Sequence, residues 1–87
     1  NLSLTSDLSN ELLYKNKDKI IIVGREKDGE FRMSIRSDSI NIKSILEIVL
    51  EGVEGYGGGH VHACGANIKM HDFDKFIKTF KKEISRQ

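Results

Sequence analysis

Between Gly55 and Gly59, four of five residues are glycine, and His60 follows directly. Glycine lacks a Cβ, so such a stretch accepts positive φ and lets another molecule approach the main chain. Successive backbone amides can then converge on an anion as a nest. His60 directly after the glycines favours an anion site over a plain turn. A plain flexible turn is the alternative reading of the glycines alone. A second cluster with related chemistry is Ser34-Ile35-Arg36-Ser37. A guanidinium offers planar, bidentate donors suited to phosphate or carboxylate, and Ser34 and Ser37 add hydroxyls. The alternative there is a solvated strand end. Ser34, Arg36, Gly57, Gly58, Gly59 and His60 are the candidate phosphate-binding set.

His60, His62 and Cys64 alternate. On an extended segment they would share one face, which is the spacing of a zinc clip, with His71 as the obvious fourth ligand. We favour a small buried residue for Cys64 and a structural role for His62, and assign no metal site. The 13 acidic residues are scattered, and no serine, cysteine or carboxylate pair has a spacing that demands catalysis. No catalytic residue is therefore assigned to this chain. Lys75, Lys78 and Lys82 form a solvated basic stripe, able to add weak phosphate attraction.

These residues need elements to position them. Leu8, Leu12 and Leu13 predict a helix from Thr5 to Asn16, capped by Thr5 or Ser6. The consecutive β-branched residues from Ile20 to Val23 predict a central strand from Lys19, buried on both faces. Asp28-Gly29 is a hairpin turn signal. Phe31 to Arg36 then alternates as a half-exposed strand antiparallel to the first. Ile42, Ile45, Leu46, Val49 and Val53 mark a second helix, capped by Asn41 and ended by Gly52 and Gly55. The glycine stretch is read as a loop, with a short strand from Ala66 to Met70 after it. A last helix starts at Asp72 and carries Phe73, Phe76, Ile77, Phe80 and Ile84. The expected fold is α/β (α+β), a small mixed sheet of about three or more strands flanked by helices.

A chain of 87 residues is one domain, 1–87. With 38% hydrophobic and 31% charged residues it is globular rather than disordered. A net charge of +1 makes any anion site local, built from a few converging groups. One cysteine excludes an internal disulfide and points to a reducing, cytoplasmic compartment. No apolar run approaches the roughly 20 residues that cross a bilayer, so no membrane partner is expected. The first residues do not read as a signal peptide, and the start without Met suggests an excised piece of a longer protein.

The segment Gly57-Gly58-Gly59-His60-Val61-His62-Ala63-Cys64-Gly65-Ala66 resembles the Gly-Gly-Gly-His-x-x-Ala-Ala-Gly-Ala signature of the DHH-associated domain. That domain follows the catalytic domain in RecJ-type single-strand exonucleases, nano-RNases and related phosphoesterases. Met33-Ser34-Ile35-Arg36-Ser37 resembles the Val-Ser-x-Arg-Ser element of the same family, and the likeness covers nearly the whole chain. It departs at Cys64, where alanine is common. The resemblance implies that Gly58, Gly59 and His60 contact a substrate phosphate or terminal nucleotide, while Arg36, helped by Ser34, grips a backbone phosphate. It implies partners as well: single-stranded nucleic acid, a short oligonucleotide, a nucleotide or polyphosphate, and an N-terminal catalytic domain of the same chain. Manganese would sit in that catalytic domain, with no cofactor and no hydrolysis in the present chain. Two further functions are carried as alternatives. One is tRNA binding, as in the related C-terminal domain of alanyl-tRNA synthetases. The other is a protein-interaction module of a replication complex.

Overall fold

The run Ile20-Ile21-Ile22-Val23 is divided between two environments. Ile20 and Ile22 are each 1% exposed, whereas Ile21 and Val23 are 39% and 46% exposed. The expected burial on both faces does not occur. A computed structural model describes residues 9–13 and 19–86. In it the helices cover one face of the sheet and leave the other open. Successive side chains of each strand therefore alternate between core and open face.

The elements are β1 (Ser9–Leu13), β2 (Lys19–Lys27), β3 (Glu30–Ser37), α1 (Ile42–Leu50), β4 (Gly55–His60), β5 (Ala63–Lys69), a single 3-10 turn (Met70–Asp72) and α2 (Phe73–Ser85). They build a five-stranded sheet in the order β1-β2-β3-β5-β4. The α+β class, with helices on a sheet of more than three strands, agrees with the sequence reading. Three details differ.

First, the predicted opening helix is strand β1 where it is described. Its residues pair with β2 from Ser9↔Val23 to Leu13↔Lys19. The outer edge of β2 offers unpaired amides and carbonyls, and pairing with them overrides a local helical spacing of leucines. Thr5, Ser6, Leu8 and Asn16 lie outside the described residues. Second, the sheet is antiparallel at every described pairing rather than mixed. The β3-α1-β4 connection leaves β3 and β4 running the same way. The tight turn at Val61-His62 then folds β5 back into the slot between them, so no parallel neighbours remain. Third, the glycine stretch is not a loop but edge strand β4, and β5 begins at Ala63 rather than Ala66.

Other features follow the sequence closely. Asp28 and Gly29 have φ of 53° and 78°, the primed turn whose twist suits a two-residue hairpin. Asn41 Oδ1 accepts the Ser44 N–H at 3.1 Å and caps α1. The stripe Ile42, Ile45, Leu46 and Val49 is buried. On α2 the buried stripe is Phe73, Phe76, Phe80 and Ile84. Phe73 packs on Phe31 of β3 with ring centroids 4.5 Å apart. Asp72 stands at the start of α2, but its side chain makes no capping bond. Its Oδ2 instead accepts the Glu54 N–H at 2.7 Å, tying the start of α2 to the lead into β4.

Candidate functional site

Register decides which residues meet on the open face. Directly opposed residues on neighbouring strands point to the same side. One row runs Ile21, Arg36, Ala63, His60 across β2, β3, β5 and β4. The next runs Val23, Ser34, Gly65, Gly58, and the third Arg25, Arg32, Asn67, Tyr56. Ser34, Arg36, Gly58 and His60 thus converge on one open face from two strands distant in sequence. Arg36, Ser34 and His60 are exposed. Among the described residues no hydrogen bond or ion pair engages any of their side chains.

Gly57 and Gly59 lie opposite Ala66 and Cys64 and belong to the other side of the sheet. Their glycine identity has a local cause. A Cβ on Gly57 would meet Gly65 O at 2.5 Å, and one on Gly59, at φ 148°, would meet Ala63 O at 2.5 Å. Gly58 differs, because a Cβ there would meet nothing within 4 Å. On β5, a Cβ on Gly65 would meet only Met33 O, at 3.6 Å. These two open-face glycines are not required by packing. The β4 amides alternate between β5 and the free edge, so the expected inward-turned nest of a loop is replaced by an extended, exposed ribbon.

The end of this ribbon is held firmly. Ser37 N–H donates to His62 O at 3.1 Å and Ile42 N–H to Val61 O at 2.8 Å, pinning the β4-β5 turn to the end of β3 and the start of α1. Ser37 itself is buried, 6% exposed, and its Oγ accepts the Ile40 N–H at 3.1 Å. It does not join Ser34 as an anion donor, because it falls on the core side of β3 and its hydroxyl is used in the turn. His62 takes part in the turn through its backbone carbonyl.

His60, His62 and Cys64 do not share a face, since a turn, not a continuous strand, links them. Cys64 points into the core and its Sγ donates to His60 O at 3.2 Å. Burial pushes the Cys64 thiol above its ordinary value of 9.0, nearby Lys43 partly opposing and Glu47 adding to the rise. His71 pairs with Glu54 Oε1 at 2.9 Å. Among the described residues no three His, Cys, Asp or Glu side chains are gathered for a metal.

The open face is locally basic although the chain carries only +1. Across β2 to β5 it bears Arg25, Lys27, Arg32, Arg36 and Lys69, with the Glu30 carboxylate among them and Glu54 beside Lys69. Lys69 Nζ donates to Glu30 Oε2 at 2.6 Å. That bond, then one from Asn67, holds Glu30 below its ordinary 4.5, and the same pairing raises Lys69 above 10.5. Glu30 is thereby held by Lys69 and Asn67, with Arg32 near enough to help lower it, while no hydrogen bond or ion pair among the described residues engages the Arg32 or Arg36 side chain.

Three residues not singled out from the sequence border this site. Arg32, Tyr56 and Asn67 line a shallow cavity of about 190 Å³ whose floor includes Gly65. Period-two counting from Arg36 reaches Arg32. Tyr56 is found the same way from His60 only once Gly55–His60 is read as a strand. Asn67 carries no sequence signal, since its place depends on the β3-β5 register.

Such a sheet, helix-covered on one side and open on the other with a glycine-histidine edge strand, defines a small α+β domain. The chain belongs to the DHHA1 domain family, whose model matches residues 4–86. Members are accessory domains of DHH-family phosphoesterases. No curated protein matches the chain. No helix among the described residues is long and apolar enough to cross a membrane.

Proposed function

We propose that the open face of this domain seats a phosphate of single-stranded nucleic acid, a short oligonucleotide or a nucleotide. It thereby orients the strand for phosphodiester hydrolysis in a separate DHH catalytic domain of a RecJ-like exonuclease. The observation that carries this reading is the convergence of Arg36, Ser34, Gly58 and His60 on one exposed surface, with their side chains unengaged. Arg36 supplies charge-assisted, bidentate donors, His60 a ring N–H donor, and Ser34 a hydroxyl. The bare Gly58 and Gly65 let the ligand lie against the sheet. Manganese in the other domain would activate the attacking water and neutralise developing charge. This chain's part is to bind and to fix register, so the isolated 87-residue chain should show no hydrolysis. The near-neutral net charge suits a short substrate, because long strands demand many neutralised phosphates.

Titration of the chain with 5′-phosphorylated single-stranded oligonucleotides tests this. Arg36→Ala should weaken binding by about 1.5–3 kcal/mol, the worth of a hydrogen bond to a charged group, and added salt should weaken the wild type. If Arg36→Ala and His60→Ala both bind as wild type, the reading fails.

A further inference from the structure

The row next to the proposed phosphate seat has a different chemistry. Arg32, Asn67 and Tyr56 stand side by side on β3, β5 and β4. Tyr56 is 68% exposed, yet it is not loose, because its hydroxyl accepts the Asn67 Nδ2–H at 3.1 Å. Asn67 is 7% exposed and is fixed in turn by donating to Glu30 Oε1 at 3.0 Å. The Asn67 Oδ1 is buried without a hydrogen-bond partner. A buried acceptor left unpaired costs free energy and calls for an explanation. Asn67 is also part of the lining of the cavity between Arg32 and Tyr56. An aromatic ring anchored by Asn67 and a guanidinium in no hydrogen bond, on either side of a shallow hollow, are the ingredients of a stacking platform for a planar ring.

Spacing relates this hollow to the phosphate seat. Rows on one face of a strand recur about every 7 Å, so Arg32 stands roughly 13 Å along β3 from Arg36. Along β4 the open face reads His60, Gly58, Tyr56. Along β3 it reads Arg36, Ser34, Arg32, and along β5 Ala63, Gly65, Asn67. A guanidinium and an imidazole end the first row, the middle row has a bare floor, and the third offers an aromatic ring and a guanidinium. The order along the face is that of phosphate, sugar and base, but one nucleotide is shorter than this Cα spacing. Gly65 of the middle row also lines the hollow, so a single nucleotide is held only with the side chains of both outer rows leaning inward over Gly58 and Gly65.

We infer that Tyr56, Arg32 and Asn67 form a nucleobase subsite, occupied by the base of the nucleotide whose phosphate lies between Arg36 and His60. The inference rests on the phosphate-binding reading above. The base lies against the Tyr56 ring beside the Arg32 guanidinium, and the Gly58-Gly65 floor takes the sugar. Stacking of this kind accepts any base, because every base has a π-face.

The test compares adenosine 5′-monophosphate with ribose 5-phosphate, which lacks the base, on the 87-residue chain by calorimetry or by amide shifts in NMR. Wild type should bind the nucleotide more tightly than the sugar phosphate. Tyr56→Ala should lower nucleotide affinity about five- to hundredfold, the range for loss of one base-aromatic stack, and leave ribose 5-phosphate unchanged. Arg32→Ala should act the same way more weakly, and Tyr56→Phe should keep most of the affinity. Arg36→Ala should weaken both ligands. Equal affinity of wild type for the two ligands overturns the subsite. So does a Tyr56→Ala variant that binds the nucleotide as wild type while Arg36→Ala still weakens it. Loss of both ligands together in a folded Tyr56→Ala also overturns it, since the ring would then serve the phosphate. An Arg36→Ala variant that binds both ligands as wild type overturns the phosphate reading instead.

Discussion

Arg36 of β3 and His60 of β4 stand on either side of Ala63 of β5, each paired directly to it across the sheet. Two strand spacings separate their main chains by about 10 Å. The small Ala63 side chain between them leaves a gap bounded by a guanidinium and an imidazole. A bulky residue at the centre should close that gap. Ala63→Leu is expected to lower affinity for a 5′-phosphorylated oligonucleotide at least about tenfold, close to the loss of one charged hydrogen bond. Its thermal midpoint should stay near wild type, because Ala63 is only partly buried. Parallel binding and melting curves check both halves.

The glycines of β4 should separate into two kinds. Gly58→Ala adds a Cβ into open space, so stability should hold or rise slightly through a stiffer unfolded chain. Affinity for a 5′-phosphorylated oligonucleotide should nonetheless fall, as the Cβ would stand where the proposed ligand lies. Gly57→Ala forces a Cβ to within 2.5 Å of the Gly65 carbonyl and should cost about 1–3 kcal/mol of stability, as overpacking does. Urea unfolding of the two variants measures the contrast. Equal destabilisation would remove the argument that Gly58 is left bare for a ligand.

The Glu30-Lys69 pair sets an acid limb of stability. Glu30 is held below its ordinary 4.5 in the folded chain, chiefly by the Lys69 hydrogen bond. Its stabilisation is therefore full above the unfolded carboxylate value and fades as pH falls through the lowered one. Lys69, raised above 10.5, contributes below that value and loses its contribution as pH rises through the raised one. Between about pH 6 and pH 3, the range of carboxylate titration, wild type should lose more of its melting temperature than Glu30→Gln. Melting curves across that range decide it.

The buried thiol should be quiet. Burial raises Cys64 above 9.0, so little thiolate forms at neutral or mildly alkaline pH, and only the thiolate reacts. Iodoacetamide at about pH 8, slightly below the ordinary cysteine value, should label native chain far more slowly than urea-unfolded chain. Mass spectrometry reads the difference. Rapid native labelling would show that the β4-β5 turn opens readily.

What the sequence determined by itself is local. The alternation from Phe31 to Arg36, the Asp28-Gly29 turn, the Asn41 cap and the phenylalanine stripe of α2 depend on neighbours within a turn or a pleat. Their geometry is written in residue type and spacing. The guanidinium of the strand cluster and the imidazole after the glycines are likewise legible as residue types, which is why Arg36 and His60 stand out in the sequence. Tertiary structure alone decided the rest. Strand β1 exists because the β2 edge needed partners, and β4 is a strand because β5 supplied one. Gly58 falls on the open side and Gly57 on the core side only through register against β5. Arg32, Asn67 and Tyr56 come from three strands and meet because backbone hydrogen bonds fix which residues stand opposite. Such pairings join residues far apart along the chain, and no local periodicity encodes them.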